Sequence, residues 1–252
     1  MAHRGGSPEH VESSADAFRR AVEVGADLLE CDLQLSASGD IVIYHDAVYF
    51  GAPVPGFTTD ELRALIPTLL TFDELLAHVN GLAPGVRLVL DLKSRAVDRA
   101  LVRYLDEKAL RRRVIVTSTF AFGLWRLKRR FPDLRTGLSR GATFTRVPAR
   151  YLPLARRTVG RVMTVLALAQ MSAFKIETAA FQHALLDPWA VGLLQRRGLR
   201  VYGWTVDSIE RARELECLGI DYLTTNQPAA LFSAGRDTRP GGVATEATCG
   251  RT

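Results

Sequence analysis

Short apolar runs and amphipathic stretches alternate from one end of the chain to the other. The strand-type runs are DLLECDLQL (27–35), DIVIYH (40–45), RLVLDL (87–92), VIVTS (114–118), RTGLS (135–139), FKIET (174–178), RVYGWTV (200–206) and DYLTT (221–225). Most lack clean alternation, the pattern of parallel strands buried on both faces. Helix-type segments lie between them: SADAFRRAVEVG (14–25), TFDELLAHV (71–79), AFGLWRLKRRF (121–131), PWAVGLLQRRG (188–198) and SIERARELECLG (208–219). Ser or Thr opens several of these and Gly closes several. TFDE (71–74) and SIER (208–211) put a capping residue and an acid where helix starts use them, and Pro188 suits a first helical position. VMTVLALAQMSAF (162–174) is shorter than the roughly 18 apolar residues of a membrane span and contains Gln170, so it predicts a buried helix. The polar, Gly-rich stretch 233–252 reads as a disordered tail after a single domain over 1–232.

Repeated β–α units over this length predict an α/β fold, a (β/α)8 TIM barrel. Counting residues 1–4 as a first, truncated strand gives one strand too many. DIVIYH follows its predecessor too soon for a parallel crossover, which takes a dozen or more residues. Residues 27–45 are therefore expected to form an antiparallel hairpin arm turning at SASG (36–39). The barrel strands are then 1–4, 27–33, 87–92, 113–118, 134–138, 174–178, 200–205 and 221–225. Such a hairpin sets Asp32 roughly opposite His45.

Composition changes this picture little: 252 residues, 47% hydrophobic and 24% charged, are ordinary for a globular chain. No stretch reads as a signal peptide. Cys31, Cys217 and Cys249 are scattered without CxxC spacing, so neither a disulfide framework nor a zinc site is implied, and a cytoplasmic setting is the simplest expectation. Charge adds more. Residues 126–161 hold eleven Lys/Arg against one acid, Asp133, in a chain of net charge +6. The plain reading is a solvated arginine-rich face. The sharper one is attraction to an anionic membrane surface or a phosphorylated substrate, which would make the protein membrane-peripheral. No recognition-helix pattern accompanies the charge, so nucleic acid is not expected as a partner.

Side chains two apart on a strand share a face. Glu30 and Asp32 therefore point together, as do Asp91 and Lys93, with Cys31 turned away. Acids inside apolar strands are costly unless paired or used, and inward carboxylates on neighbouring strands suit a hard divalent cation. A structural salt-bridge cluster is the alternative. His3, Arg4 and His45 join the set. Phosphodiester cleavage needs charge neutralisation, a base and an acid. Arg4, Lys93 and a cation could supply the first, His3 and His45 the others. Gly5 and Gly6 let the backbone turn so that Arg4 can reach the site.

On AHRGG, Glu12, ADAF, GADLLECDLQLSASGDIVIYHD, IPTLLTFDELL, LVLDLKS and GLRVYGWTVDSIERARELECLGIDYLTTNQP, the chain resembles a glycerophosphodiester phosphodiesterase over residues 2–230. The resemblance implies a TIM barrel that binds Mg2+ or Ca2+ and hydrolyses glycerophosphodiesters to an alcohol and glycerol 3-phosphate, with some relatives acting on lysophospholipids as lysophospholipase D. It implies His3 and His45 as the acid/base pair, and Glu30, Asp32 and Asp91 as metal ligands. Arg4 and Lys93 become phosphate contacts, and Trp204 a wall of the substrate pocket. Asp91 stands where the family carries Glu, and Asn226 where it carries Asp. A non-catalytic barrel binding phospholipid or glycerophosphate is the alternative reading.

Overall fold

A computed structural model describes residues 1–6, 9–145 and 148–236. From the N-terminus, Ala15–Glu23 (α1) precedes strands Leu28–Leu35 (β1) and Ile41–Ile43 (β2). A small hairpin, Val48–Tyr49 (β3) with Ala52–Pro53 (β4), leads to helices Thr59–Leu65 (α2) and Phe72–Leu82 (α3). Then come Arg87–Leu92 (β5), Val97–Leu105 (α4), Lys108–Arg113 (α5), Val114–Ser118 (β6), Ala121–Arg130 (α6) and Arg135–Arg140 (β7). The chain continues through Leu152–Phe174 (α7), Thr178–Gln182 (β8), Pro188–Arg196 (α8), Arg200–Trp204 (β9), Ile209–Cys217 (α9), Tyr222–Leu223 (β10) and Pro228–Arg236 (α10). Helix starts follow their capping residues. Thr71 and Glu74 form a reciprocal capping box, and the side chains of Ser14, Asp187 and Ser208 accept from backbone N–H groups of their own helices.

Strands β1, β5, β6, β7, β8, β9 and β10 pair in parallel in that order, and β2 lies antiparallel on β1 with Leu33 opposite Ile43. That register puts Asp32 beside Tyr44, one residue short of the His45 pairing read from the sequence. The sheet curls into an α/β barrel of the TIM type, and its seam is the two residues before His3. Ala2 bridges Leu29 on one side and Thr225 on the other, both in parallel.

Inside the barrel, Met1, Leu28, Val89, Ile115, Ala180 and Tyr202 fill one apolar layer. Outside, the other strand faces pack on the helices through a larger core that includes Phe18, Leu29, Leu33, Phe72, Leu90, Val116 and Phe181. Burying both faces is what the unbroken apolar runs call for.

Four expectations change. Residues 1–4 are not a regular strand: Ala2 alone bridges its neighbours, and the chain leaves the extended conformation at His3–Gly5, a short 3-10 helix, because Arg4 and Gly5 take positive φ. FKIET (174–178) is not a strand: α7 runs to Phe174, Lys175 caps it in the left-handed region at φ 54°, and the strand begins at Thr178. The 162–174 segment is helical but not buried, since Val162, Val165 and Leu166 remain exposed. At the C-terminus, α10 continues through Arg236, so residues 233–236 belong to a helix and not to a tail; 237–252 lie outside the described residues. No helix among the described residues is long and apolar enough to cross a membrane.

Candidate active site

Moving two residues up each strand from the apolar layer changes its chemistry. Above Leu28 comes Glu30 and then Asp32; above Val89 come Asp91 and Lys93; above Ile115 comes Thr117. Above Ala180 comes Gln182, and above Tyr202 comes Trp204. The period of two that fills the barrel with hydrocarbon lower down thus delivers polar groups to its C-terminal end, where barrels of this type keep their chemistry. These side chains line a cleft of about 520 Å³ that includes His3, Arg4, Glu30, His45, Asp91, Lys93 and Trp204. Asp32 lies beneath it, fully buried. The candidates named from sequence therefore meet in one place.

The turn after the seam is steep. Arg4, Gly5 and Gly6 all have positive φ, at 52°, 83° and 44°. A Cβ on Gly5 would sit 2.8 Å from that of Ala17, so only glycine lets this loop pass α1. The bend brings Arg4 Nε to 2.9 Å from Asp32, while its Nη1 donates to both oxygens of Glu12 at 2.9 and 3.0 Å. Its backbone N–H donates to Glu30 Oε2 at 3.0 Å.

Lys93 Nζ lies 2.9 Å from Asp32 and 2.6 Å from Asp91, whose other oxygen accepts from Thr117 Oγ1 at 2.7 Å. Burial would raise the Asp32 carboxyl, but Lys93 and Arg4 outweigh it and hold the group below its usual range. Burial likewise opposes the charge on Lys93, and Asp91 and Asp32 more than restore it, so this ammonium stays charged. Glu30 is the opposite case: burial, with Asp32 and Asp91 nearby, pushes it well above an ordinary carboxyl.

As the side chains stand, no group of three His, Cys, Asp or Glu among the described residues is arranged to grip an ion. Arg4 and Lys93 occupy the Asp32 and Asp91 oxygens instead. The donor chemistry nonetheless fits a hard cation. Glu30 is a buried carboxyl with the neutral His3 ring beside it, Nε2 at 3.9 Å from Oε2. Among the described residues, neither Asp32 oxygen has an aligned hydrogen bond despite its two cationic neighbours.

The two histidines are held differently. Asn226 Nδ2 donates to Asp207 at 2.9 Å, which turns its Oδ1 toward His3 Nδ1 at 2.7 Å. A carboxylate only accepts, so the amide orientation is fixed, and with it the tautomer: Nδ1 carries the proton and Nε2 the lone pair. Burial first, then Arg4, lowers the His3 pKa below 6.5 and keeps the ring neutral near pH 7. His45 is more open, with Nδ1 at 2.7 Å from Asp46. Asn226 and Asp207 were not assigned these roles from sequence. Trp204 walls the cleft, its buried indole N–H has no acceptor among the described residues, and the Gly141 loop passes so near that a Cβ there would come within 2.7 Å of the ring.

Two histidines lining one cleft with Arg4 and Lys93, over buried carboxylates at the C-terminal end of an α/β barrel, are the groups that a phosphoester-cleaving enzyme of this fold uses. Within that class the chain belongs to the glycerophosphoryl diester phosphodiesterase family, whose sequence profile matches residues 3–230. It is 26% identical over 260 residues to a glycerophosphodiester phosphodiesterase of Caldanaerobacter subterraneus, with 94% of this chain and 97% of that one covered. Among solved structures, a glycerophosphodiester phosphodiesterase from Parabacteroides distasonis superposes with a TM-score of 0.75 at 22% identity, covering 94% and 96% of the two chains. A phosphodiesterase from Oleispira antarctica in complex with the product sn-glycerol-3-phosphate superposes with 0.73 at 18% identity, covering 93% and 95%.

Proposed function

We propose that this protein hydrolyses glycerophosphodiesters to an alcohol and glycerol 3-phosphate, at a site that takes one divalent cation, Mg2+ or Ca2+. The observation that carries this reading is the fixed tautomer of His3, facing a cleft that also holds His45, Arg4 and Lys93. Arg4 and Lys93 attract the phosphodiester and offset its charge. His3 accepts at Nε2 the proton of the attacking hydroxyl. His45, anchored by Asp46, returns a proton from its Nε2 to the departing alcohol oxygen as the P–O bond breaks. The attacking hydroxyl is either water or the glycerol hydroxyl next to the phosphate; the second route passes through a cyclic phosphate that water then opens. Glu30, Asp32 and Asp91 would hold the cation, which supplies further neutralisation at the phosphoryl oxygens when bound. Trp204 flanks the glycerol end with its ring. Lysophospholipids share the same linkage, and exposed apolar side chains around the mouth favour them as a second substrate class.

The test is product release from glycerophosphocholine, glycerophosphoethanolamine, glycerophosphoglycerol and lysophosphatidylcholine, each with Mg2+, Ca2+ or chelator. Glycerol 3-phosphate, or its acylated form, should appear with one of the cations and vanish in chelator. Release of phosphocholine instead, or no turnover of any member with either cation, would refute the reading. Phosphorus NMR during turnover distinguishes the two routes by the presence or absence of the cyclic phosphate.

A further inference from the structure

Large apolar side chains that stay exposed are unevenly placed. Among the described residues, all of them except Leu65, Val162, Val165 and Leu166 lie in the links that leave strand C-termini or in the first turn of the helix that follows. Val11 follows the seam, Phe50 tips the β3–β4 hairpin, and Phe122 opens α6. Tyr151 and Leu154 open α7, and Trp189 opens α8. For the parallel strands these links define the end of the barrel where the cleft opens; the β3–β4 hairpin follows antiparallel β2 and is tied to the same end by His45, which lines the cleft. Leu154 is 65% exposed and Phe50 93%, with the Phe50 ring meeting only the edge-on Tyr49 ring among the aromatic contacts of the described residues.

Helix α7 makes this rim higher on one side. Gly160 lies against the backbone of Leu185, in the turn that follows β8, so closely that a Cβ would meet its carbonyl at 2.5 Å. From there α7 descends to feed the start of β8. Residues 152–159 therefore rise beyond the strand ends, by about 12 Å at 1.5 Å per residue. Leu154, Val162 and Val165 lie on one side of the helix, so the apolar stripe runs from the raised tip down its flank.

Charge selects the occupant. Of the cations in 126–161, Arg126, Lys128, Arg130 and Arg161 are committed to Asp98, Glu177, Asp106 and Asp187. Arg150 and Arg156, on the raised tip, instead lie over the rings of Tyr151 and Phe144. Arg157 beside them comes no nearer than 4.0 Å to Asp187. Acids at the same end are held: Glu12 by Arg4, Asp46 against His45 and Asp187 by Arg161. The rim thus offers apolar groups to insert and arginines for phosphate headgroups, the combination that holds a protein in a lipid interface.

We infer that the active-site rim, with Phe50 on one side and the raised tip of α7 on the other, docks on an anionic phospholipid bilayer and presents the cleft to it. The inference rests on the phosphodiesterase reading for its purpose, but its test needs no turnover. The full chain is floated with phosphatidylcholine vesicles, with and without phosphatidylglycerol. It should rise only with the anionic vesicles, and less as added salt shortens the screening length, about 8 Å at physiological strength. Replacing Arg150, Arg156 and Arg157 with Gln should weaken partitioning about fivefold per arginine, and Phe50→Ser with Leu154→Ser should abolish it. Both variants should keep the parent's melting temperature and its rate on soluble glycerophosphocholine, which identifies the loss as one of docking. If soluble turnover is absent in the parent, the phosphodiesterase reading fails, whatever the vesicles show. Equal binding to neutral vesicles, no binding, binding that survives both variants, or a parent dimer that Leu154→Ser converts to monomer would each overturn the docking surface.

Discussion

His3 is held in one tautomer by a chain of two hydrogen bonds, so the proposed base role of His3 would make Asn226 a positioning residue. Removing His3 or His45 as Ala should cost about 10²–10⁴ in kcat, with vesicle binding unchanged. Asn226→Ala leaves the base in place but takes away the acceptor that raises its pKa against the effects of burial and Arg4. Because His3 must be neutral to accept a proton, the acid limb of kcat/KM against pH should lie below pH 6.5 in the parent. It should move lower in Asn226→Ala while kcat falls; a limb that moves up, or stays, means that His3 is not the base. That Glu30, Asp32, Asp91 and Lys93 share one inward face was legible in the sequence, because a period of two fixes which strand residues point together. The choice between salt-bridge cluster and cation site was not. Asn226 and Asp207 were not, since they lie 19 residues apart and only the return of the chain past β10 brings them together.

The starts of the capped helices α1, α3, α8 and α9 were legible to within a residue. Helix α2 was not expected despite its Thr58–Glu61 capping box, and elements set by their neighbours were not legible either. Strand β8 reads TAAFQ, and its two alanines carry no β-branched signal. Its position comes from the register with β7 and β9, while the more strand-like FKIET is spent on the end of α7 and its cap. The same helix shows why 162–174 was read as buried. Its apolar residues are many, but only Gly160, Thr164, Ala167 and Met171 are buried. Small residues on that line let α7 lie close to the barrel. Gly160→Ala should accordingly destabilise the fold by about 1–3 kcal/mol, the usual cost of overpacking, as a lower urea midpoint. An unchanged midpoint would mean that α7 shifts freely at this level.

For the molecule as a whole, the site draws on stability. A carboxyl whose folded pKa is raised binds more protons in the native state than in the unfolded one between about pH 4.3 and its folded pKa, so stability falls as pH rises through that window. Glu30 is such a group. Glu30→Gln should therefore raise the melting temperature at neutral pH in chelator, and flatten its decline with pH. A divalent cation should stabilise the parent by mass action and do much less for Glu30→Gln; equal stabilisation of the two would remove Glu30 from the ligands. The seam has a different consequence. Where β1 and β5 align over six residue pairs, the barrel closes on the bonds Ala2 N–H to Leu28, Glu30 N–H to Ala2, His3 N–H to Thr225 and Thr225 N–H to Met1. Local breathing starts where the fewest bonds must part, and here that place carries His3 and Arg4 away from the cleft. A phosphate ligand gripped by Arg4 on one side of the seam and Lys93 on the other acts as a clasp. Its binding should slow deuterium exchange at the Glu30 and Thr225 amides more than at those of β6, so that occupancy of the cleft is read in the rhythm at which the ring opens.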